Sequence, residues 1–319
     1  MPIPRGGGLG IVVTFLLAIL ILTHYGLVAA NVSEALLGGG TLLAVVGLLD
    51  DQASLPVGVR CLFHFAAAGW AIWSLQGMAP LHLGWTTWEW SWFGHLLALV
   101  GLVWMINLYN FMDGIDGLAC SEAVCVCVLG GLLLAGQGNF NLAQVALMLA
   151  CACAGFLVWN WPPASIFLGD VGSGFLGFVL GVLVIASSKQ QPALIWSWLI
   201  LLAVFVVDAT LTLLMRAIRG QCWYEAHRSH AYQHASRLWK SHVRVTVGVS
   251  VVNVVWLFPI AWLATKLPII APLLTFVAML PLIWAAFHFR AGQKAPLIQD
   301  VPRASDAFQT RRAGYLSGG

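Results

Sequence analysis

The sequence predicts an all-α polytopic membrane protein with about ten transmembrane helices. Three observations lead there. Of the 319 residues, 60% are hydrophobic and 8% are charged. Mean hydropathy is +0.88, beyond what a soluble domain of ordinary composition carries. Apolar runs near the roughly 20 residues that cross a bilayer recur from end to end. A soluble globular chain is excluded, and no nucleic-acid partner is expected.

The first run, Leu9 to Thr23, resembles a signal peptide in length. No small-residue cleavage pattern follows it and further spans do, so it is read as retained. Spans are then expected over residues 33–49, 61–75, 93–109, 118–135, 142–159, 173–187, 193–215, 245–265 and 268–289. The connecting segments alternate between two sides. One side takes 1–8, 50–60, 110–117, 160–172, 216–244 and 290–319. The other takes 24–32, 76–92, 136–141, 188–192 and 266–267. Of the 15 basic residues, only Lys189 and Lys266 fall on the second side. The positive-inside rule therefore makes the first side cytoplasmic, together with both termini.

Trp85, Trp88, Trp90 and Trp92 read as an interfacial aromatic belt. Residues 1–289 form one membrane domain, and 290–319, mixed in charge and carrying Gly, Pro and Ser, a flexible cytoplasmic tail. The seven cysteines contain no CxxC pair and read as packing residues.

The unusual polar residues gather on the cytoplasmic side. Foremost is Asn107-Leu-Tyr-Asn-Phe-Met-Asp-Gly-Ile-Asp-Gly117, with two amides and two carboxylates between apolar segments. Such groups are costly to desolvate and read as functional. Asn107, Asn110, Asp113 and Asp116 step by three, so a straight helix would rotate each about 60° back from the last. A helix that breaks at Gly114 and Gly117 would gather them better. Oxygen ligands of this kind suit Mg2+, with a phosphate completing the shell.

Four further clusters share that side. Pro4-Arg-Gly-Gly-Gly8 opens the chain. Asp50-Asp51 ends the second span; adjacent carboxylates repel, and a nearby cation would keep both ionised. Gly169-Asp170-Val-Gly-Ser173 precedes a glycine-rich span, where a helix N-terminus would offer N–H groups to a phosphate and Asp170 would ligate a metal. Loop 216–244 is basic and holds His227, Arg228, His230 and His234; helical, the three histidines would share a face. It reads either as a basic loop near anionic lipid or as an anion site. A transporter would place ionisable residues along a route in mid-span, and the lone candidate for that is Asp208.

These residues resemble, in order and over nearly the whole chain, the polyprenyl-phosphate N-acetylhexosamine-1-phosphate transferases (glycosyltransferase family 4). The matching motifs are PRGGG, the Asp pair, NxxNxxDGxDGLA over 107–119, NxxPxxIFxGDxGS over 160–173, Asp208, Arg216 and the histidine loop. The resemblance implies attack of undecaprenyl phosphate on a UDP-N-acetylhexosamine at the inner face of the bacterial inner membrane. The products would be undecaprenyl-diphospho-sugar and UMP. It implies that Asn110 and Asp170 hold Mg2+, with Mn2+ as a substitute. Asp50 would act as base or orient the lipid phosphate, supported by Asp51. Asp116 and Asn160 would bind the uracil edge, Phe167 would stack on it, and Asp113 would line the pocket. Arg228 and His230 would meet the phosphates. A homodimer is also implied.

The sequence departs from the family in two places. It begins at Met1-Pro-Ile-Pro, without the helix and basic segment that usually precede PRGGG. Its loop reads Ala226-His-Arg-Ser-His-Ala-Tyr-Gln-His234, with Tyr232 and Gln233 where later histidines usually stand. This form resembles the branch that initiates O-antigen with GlcNAc- or FucNAc-type sugars more than the peptidoglycan branch, whose donor is UDP-MurNAc-pentapeptide.

Overall fold

A computed structural model describes residues 3–88, 91–222 and 227–293. Trp90, Ala226 and the tail from 294 onward lie outside these. The described chain is helical apart from a two-residue hairpin, β1 (Leu81–His82) against β2 (Thr87–Trp88), with Leu81 opposite Trp88.

Among the described residues eleven helical stretches form, ten at the expected positions and one, α11, inside the expected loop 216–244. They are α1 (Gly8–His24), then α2 (Ala30–Glu34) running through a π-turn at Ala35–Gly39 into α3 (Gly40–Ala53), and α4 (Val57–Ser74). Next come α5 (Ser91–Met112), α6 (Leu118–Gly136), α7 (Phe140–Asn160) and α8 (Asp170–Gln190). The pair α9 (Leu194–Leu201) and α10 (Ala203–Ile218) follows, then the short α11 (Ala231–Trp239). Last are α12 (His242–Val252), continued through a π-turn at Asn253–Leu257 into α13 (Phe258–Lys266), and α14 (Ala271–His288). Among the described residues seven stretches are long and apolar enough to cross a membrane, and α9 with α10, bent by 71°, makes an eighth if counted as one span. The expected ten exceeds this because α1 has only 17 residues and α4, which contains Arg60 and His64, is not among the seven.

The bundle is built around α8, whose apolar window is 94% buried. It packs against α5, α3 and α1. Between apolar helices in lipid, close van der Waals packing replaces the hydrophobic effect as the cohesive force. Glycines permit it here: a Cβ on Gly8 would overlap the Gly172 backbone, and one on Gly177 would overlap the Met105 carbonyl oxygen. Gly177→Val should therefore lower stability by about 2–3 kcal/mol, read as a fall in unfolding temperature in detergent.

Among the buried polar groups are two carboxylates carried within helices α10 and α6. Asp208 on α10 was expected. Glu122 on α6 was not: it is 1% exposed and accepts a hydrogen bond from the amide of Asn253, itself fully buried at the second π-turn.

Candidate active site

The expected break between spans is present. Helix α5 ends at Met112, and α6 starts after Gly117, whose φ of +75° is a left-handed conformation that glycine adopts without penalty. The turn between them carries Asp113 towards Asp51 at the end of α3 and Asp170 at the start of α8, and Asp116 towards the start of α12.

Arg60 is central and was not singled out in the sequence. Its guanidinium lies 2.9 Å from Asp50 and 3.9 Å from Asp170. Asp50 is 7% exposed, and its other oxygen accepts the Leu55 N–H at 2.6 Å. With both oxygens engaged, Asp50 is fixed in place and suited to orienting a group rather than taking a proton.

Asp51 has a different task from its neighbour. Its carboxylate accepts the backbone N–H groups of Asp170 and Val171 at 3.0 and 3.2 Å. A side chain from α3 thus caps the N-terminus of α8. This corrects the expectation of a phosphate cradle there, since the first two donors of that helix are already satisfied by a carboxylate. The PRGGG segment straps the same corner from outside. Gly7 and Gly8 donate to the carbonyls of Phe167 and Leu168, and Phe167 donates to the Pro4 carbonyl. The half-buried ring of Phe167 is thereby held beside the turn leading to Asp170.

Asn160, expected at a uracil edge, is 3% exposed. Its amide accepts the Gly117 N–H and donates to the Ile166 carbonyl, each at 3.0 Å. It clasps the two motif loops together. Asp116 is half-buried, accepts the Ala164 N–H at 3.2 Å and lies 3.2 Å from His242 at the start of α12. Thr246, one turn on, donates to the Asp116 carbonyl. Asn107 donates back to the Val103 carbonyl inside α5. Asn110 is half-buried at the end of that helix.

The histidine loop reaches the same turn. His227 and His230 precede α11, so the three histidines do not share a helical face; only His234 is in the helix. Asp208 accepts the N–H groups of Ala231 and Tyr232, both at 2.9 Å, the Thr212 hydroxyl at 3.1 Å, and lies 3.3 Å from His230 Nδ1. It is an anchor for α11 rather than a station on a route through the bilayer. His230 is buried in a stack with Phe111, His227 and Tyr232. Burial, with repulsion from His230 and Arg216, pushes the His227 imidazole down to about 4, which keeps it neutral. Arg228 is exposed and, among the described residues, forms no ion pair.

Tyr232, out of family register, has a definite partner. Its hydroxyl donates to the Phe111 carbonyl at 2.9 Å and accepts from Gln233. A Cβ on Gly114 would overlap that hydroxyl. Tyr232→Phe should cost about 1 kcal/mol. Gly114→Ala should be more damaging in the parent than in a Tyr232→Phe background, and a double-mutant cycle of unfolding temperatures measures the difference.

Negative charge is in excess here. Asp50, Asp51, Asp113, Asp116 and Asp170 face Arg60 and His242. Burial, then repulsion from Asp170, Asp51 and Asp116, holds the Asp113 carboxyl well above the usual carboxylate range. A hard divalent cation would relieve that repulsion, and the donors are oxygens. Among the described residues no three His, Cys, Asp or Glu side chains are set to hold a metal ion by themselves. The residues fit a cation that keeps part of its shell for water and phosphate oxygens, as Mg2+ does.

The glycosyl transferase family 4 model matches residues 33–188, from α2 through most of α8. A probable undecaprenyl-phosphate N-acetylglucosaminyl 1-phosphate transferase of Bacillus subtilis is 27% identical over 243 residues, covering 75% of this chain and 67% of that protein. A phospho-N-acetylmuramoyl-pentapeptide-transferase of Moorella thermoacetica is 34% identical over 161 residues, 46% of this chain and 51% of that one. A decaprenyl-phosphate N-acetylglucosaminephosphotransferase of Mycobacterium leprae is 27% identical over 282 residues, 77% and 69%. The chain thus spans about half to two thirds of these relatives. With the two long motifs folded into one carboxylate-rich corner of a helical membrane bundle, the chain is similar to the polyprenyl-phosphate N-acetylhexosamine-1-phosphate transferases of glycosyl transferase family 4, whose model matches just under half of its length.

Proposed function

We propose that the protein transfers an N-acetylhexosamine 1-phosphate from its UDP-activated form to undecaprenyl phosphate, releasing UMP and initiating an envelope glycan such as O-antigen. The observation that carries this reading is the joining of Arg60, Asp50 and Asp170 to the Asp113–Asp116 turn at one end of an apolar bundle. Reaction between two phosphate anions requires charge neutralisation and in-line placement more than a strong nucleophile. A water-soluble donor and a lipid acceptor can meet only at the membrane surface. We take that surface to be the cytoplasmic face of the inner membrane, from the distribution of basic residues.

In this reading Asp170 and Asn110 hold Mg2+, which supplies charge neutralisation on the diphosphate. Asp50, fixed by Arg60, orients the acceptor phosphate. Asp51 acts through α8 by capping it, and so positions Asp170. Asp116, braced by His242, and the ring of Phe167 border the nucleotide. Asn160 serves this pocket by holding its two loops together. His230, seated by Asp208, and the exposed Arg228 face the phosphates from the loop.

The test is UMP release by the full chain in detergent with undecaprenyl phosphate and Mg2+, across UDP-GlcNAc, UDP-FucNAc and UDP-MurNAc-pentapeptide. Release with one of the first two alone identifies the O-antigen type of donor. Release only with the third assigns the protein to peptidoglycan synthesis. No release with any donor would leave a scaffold or a lipid-linked sugar transporter as the better account.

A further inference from the structure

A second feature lies beside the carboxylate corner, where α11 turns into α12. A cavity of about 590 Å3 opens there, lined by Arg237, Lys240, His242, Ser236 and Ser241, with Asp116, Pro162, Pro163 and Val243 completing the lining. Among the described residues Asp116 is the only acidic one of the lining, and its carboxylate is engaged by His242 and the Ala164 N–H. Among the described residues neither Arg237 nor Lys240 pairs with a carboxylate. Arg237 donates to the Arg228 carbonyl, which holds its side chain along the loop. Two cations and two hydroxyls around an open cavity form a site for a phosphate oxyanion.

The surroundings distinguish a lipid from a soluble ligand. Val243, in the cavity lining, heads a ridge of exposed valines along α12 and into the π-turn that continues it: Val243 at 37%, Val247 at 44%, Val251 at 51% and Val254 at 50%. Spaced by four, four and three residues, they share one face and run about 16 Å from the cavity into the bilayer. This helix begins a membrane span whose apolar window is only 22% buried within the protein, so the ridge faces lipid. Trp239, 40% exposed, and Leu238, 67% exposed, flank the basic residues at the level where the span begins. A cationic cup continued by an apolar track is the complement of an anionic headgroup carrying an acyl chain.

We propose that this cavity binds the phosphodiester headgroup of an anionic bilayer phospholipid, with one acyl chain along the valine ridge. The bound lipid stands next to His242 and so next to Asp116, which gives the membrane's composition a direct contact with the turn that carries the site.

Native mass spectrometry of the full chain, released from phosphatidylglycerol nanodiscs, tests this. The parent should retain one phosphatidylglycerol that Arg237→Gln/Lys240→Gln loses, with occupancy about tenfold lower. Arg237→Lys/Lys240→Arg, which keeps the charges, should retain it, and millimolar UMP or inorganic phosphate should not displace it. Both side chains are exposed, and the single glutamine variants serve in place of the double one if it misfolds. Equal retention in parent and glutamine variants would overturn the proposal. Displacement by UMP or phosphate would also overturn it, assigning the cavity to a soluble ligand. The readout is lipid occupancy, so it stands apart from whether any UDP-sugar is turned over.

Discussion

Asp170→Asn is expected to lower UMP release by roughly a thousandfold while leaving the fold as stable as the parent. The two halves of this expectation have separate causes. Activity falls because the carboxylate proposed to hold Mg2+ loses its charge, and a neutral amide binds the cation more weakly. Stability does not fall, because Asp170 stands among like charges. Its carboxyl is within hydrogen-bond reach of Asp50, its ionic partner Arg60 is 3.9 Å away and already bound more closely to Asp50, and its backbone N–H still donates to Asp51. The substitution removes a source of repulsion and keeps the cap. Assay of UMP beside an unfolding curve separates the effects. Full activity would remove Asp170 from the site, and loss of both activity and stability would make its role structural.

Asp208→Ala should be the most destabilising single change outside the glycine contacts, by about 3 kcal/mol or more. One buried carboxylate serves two backbone N–H groups at the start of α11, a threonine hydroxyl and the His230 ring. Alanine leaves all four without a partner in a place water does not reach, and each stranded donor carries a desolvation penalty of about 1–3 kcal/mol. The loss should be local first: backbone amides of 230–239 should exchange faster with solvent than those of α8. Asp208→Asn, which keeps one acceptor oxygen, should fall between parent and alanine. Turnover should follow the same order, since His230 loses its orientation with the helix. Unchanged exchange over 230–239 would show that Asp208 does not anchor α11.

Much of this arrangement was legible in the sequence. Apolar run length placed the helical stretches, because a membrane helix must satisfy its backbone within itself. Desolvation cost marked the 107–117 stretch as a site, and the glycine pair placed its break. What stayed hidden are the contacts between distant residues. Arg60 looks like one more basic residue at a helix start, yet it is the counter-ion of the cluster. His242 meets Asp116 across 126 positions, and no periodicity links them. In sequence Asp51 reads as support for Asp50, while the geometry sends Asp50 to Arg60 and Asp51 to the α8 backbone. Glu122 is hidden within an apolar run, because one carboxyl in nineteen residues hardly alters hydropathy.

The hydroxyl of Tyr232 on the Phe111 carbonyl bears on how such a protein can change over time. Gly114 leaves only the room that Tyr232 fills, so neither position is free to drift alone. A side chain gained at 114 calls for a shorter ring or none at 232, although more than a hundred residues separate them along the chain. The carboxylate turn and the histidine loop are in this sense one heritable unit, and grafting either onto a relative without the other would bring a misfit with it.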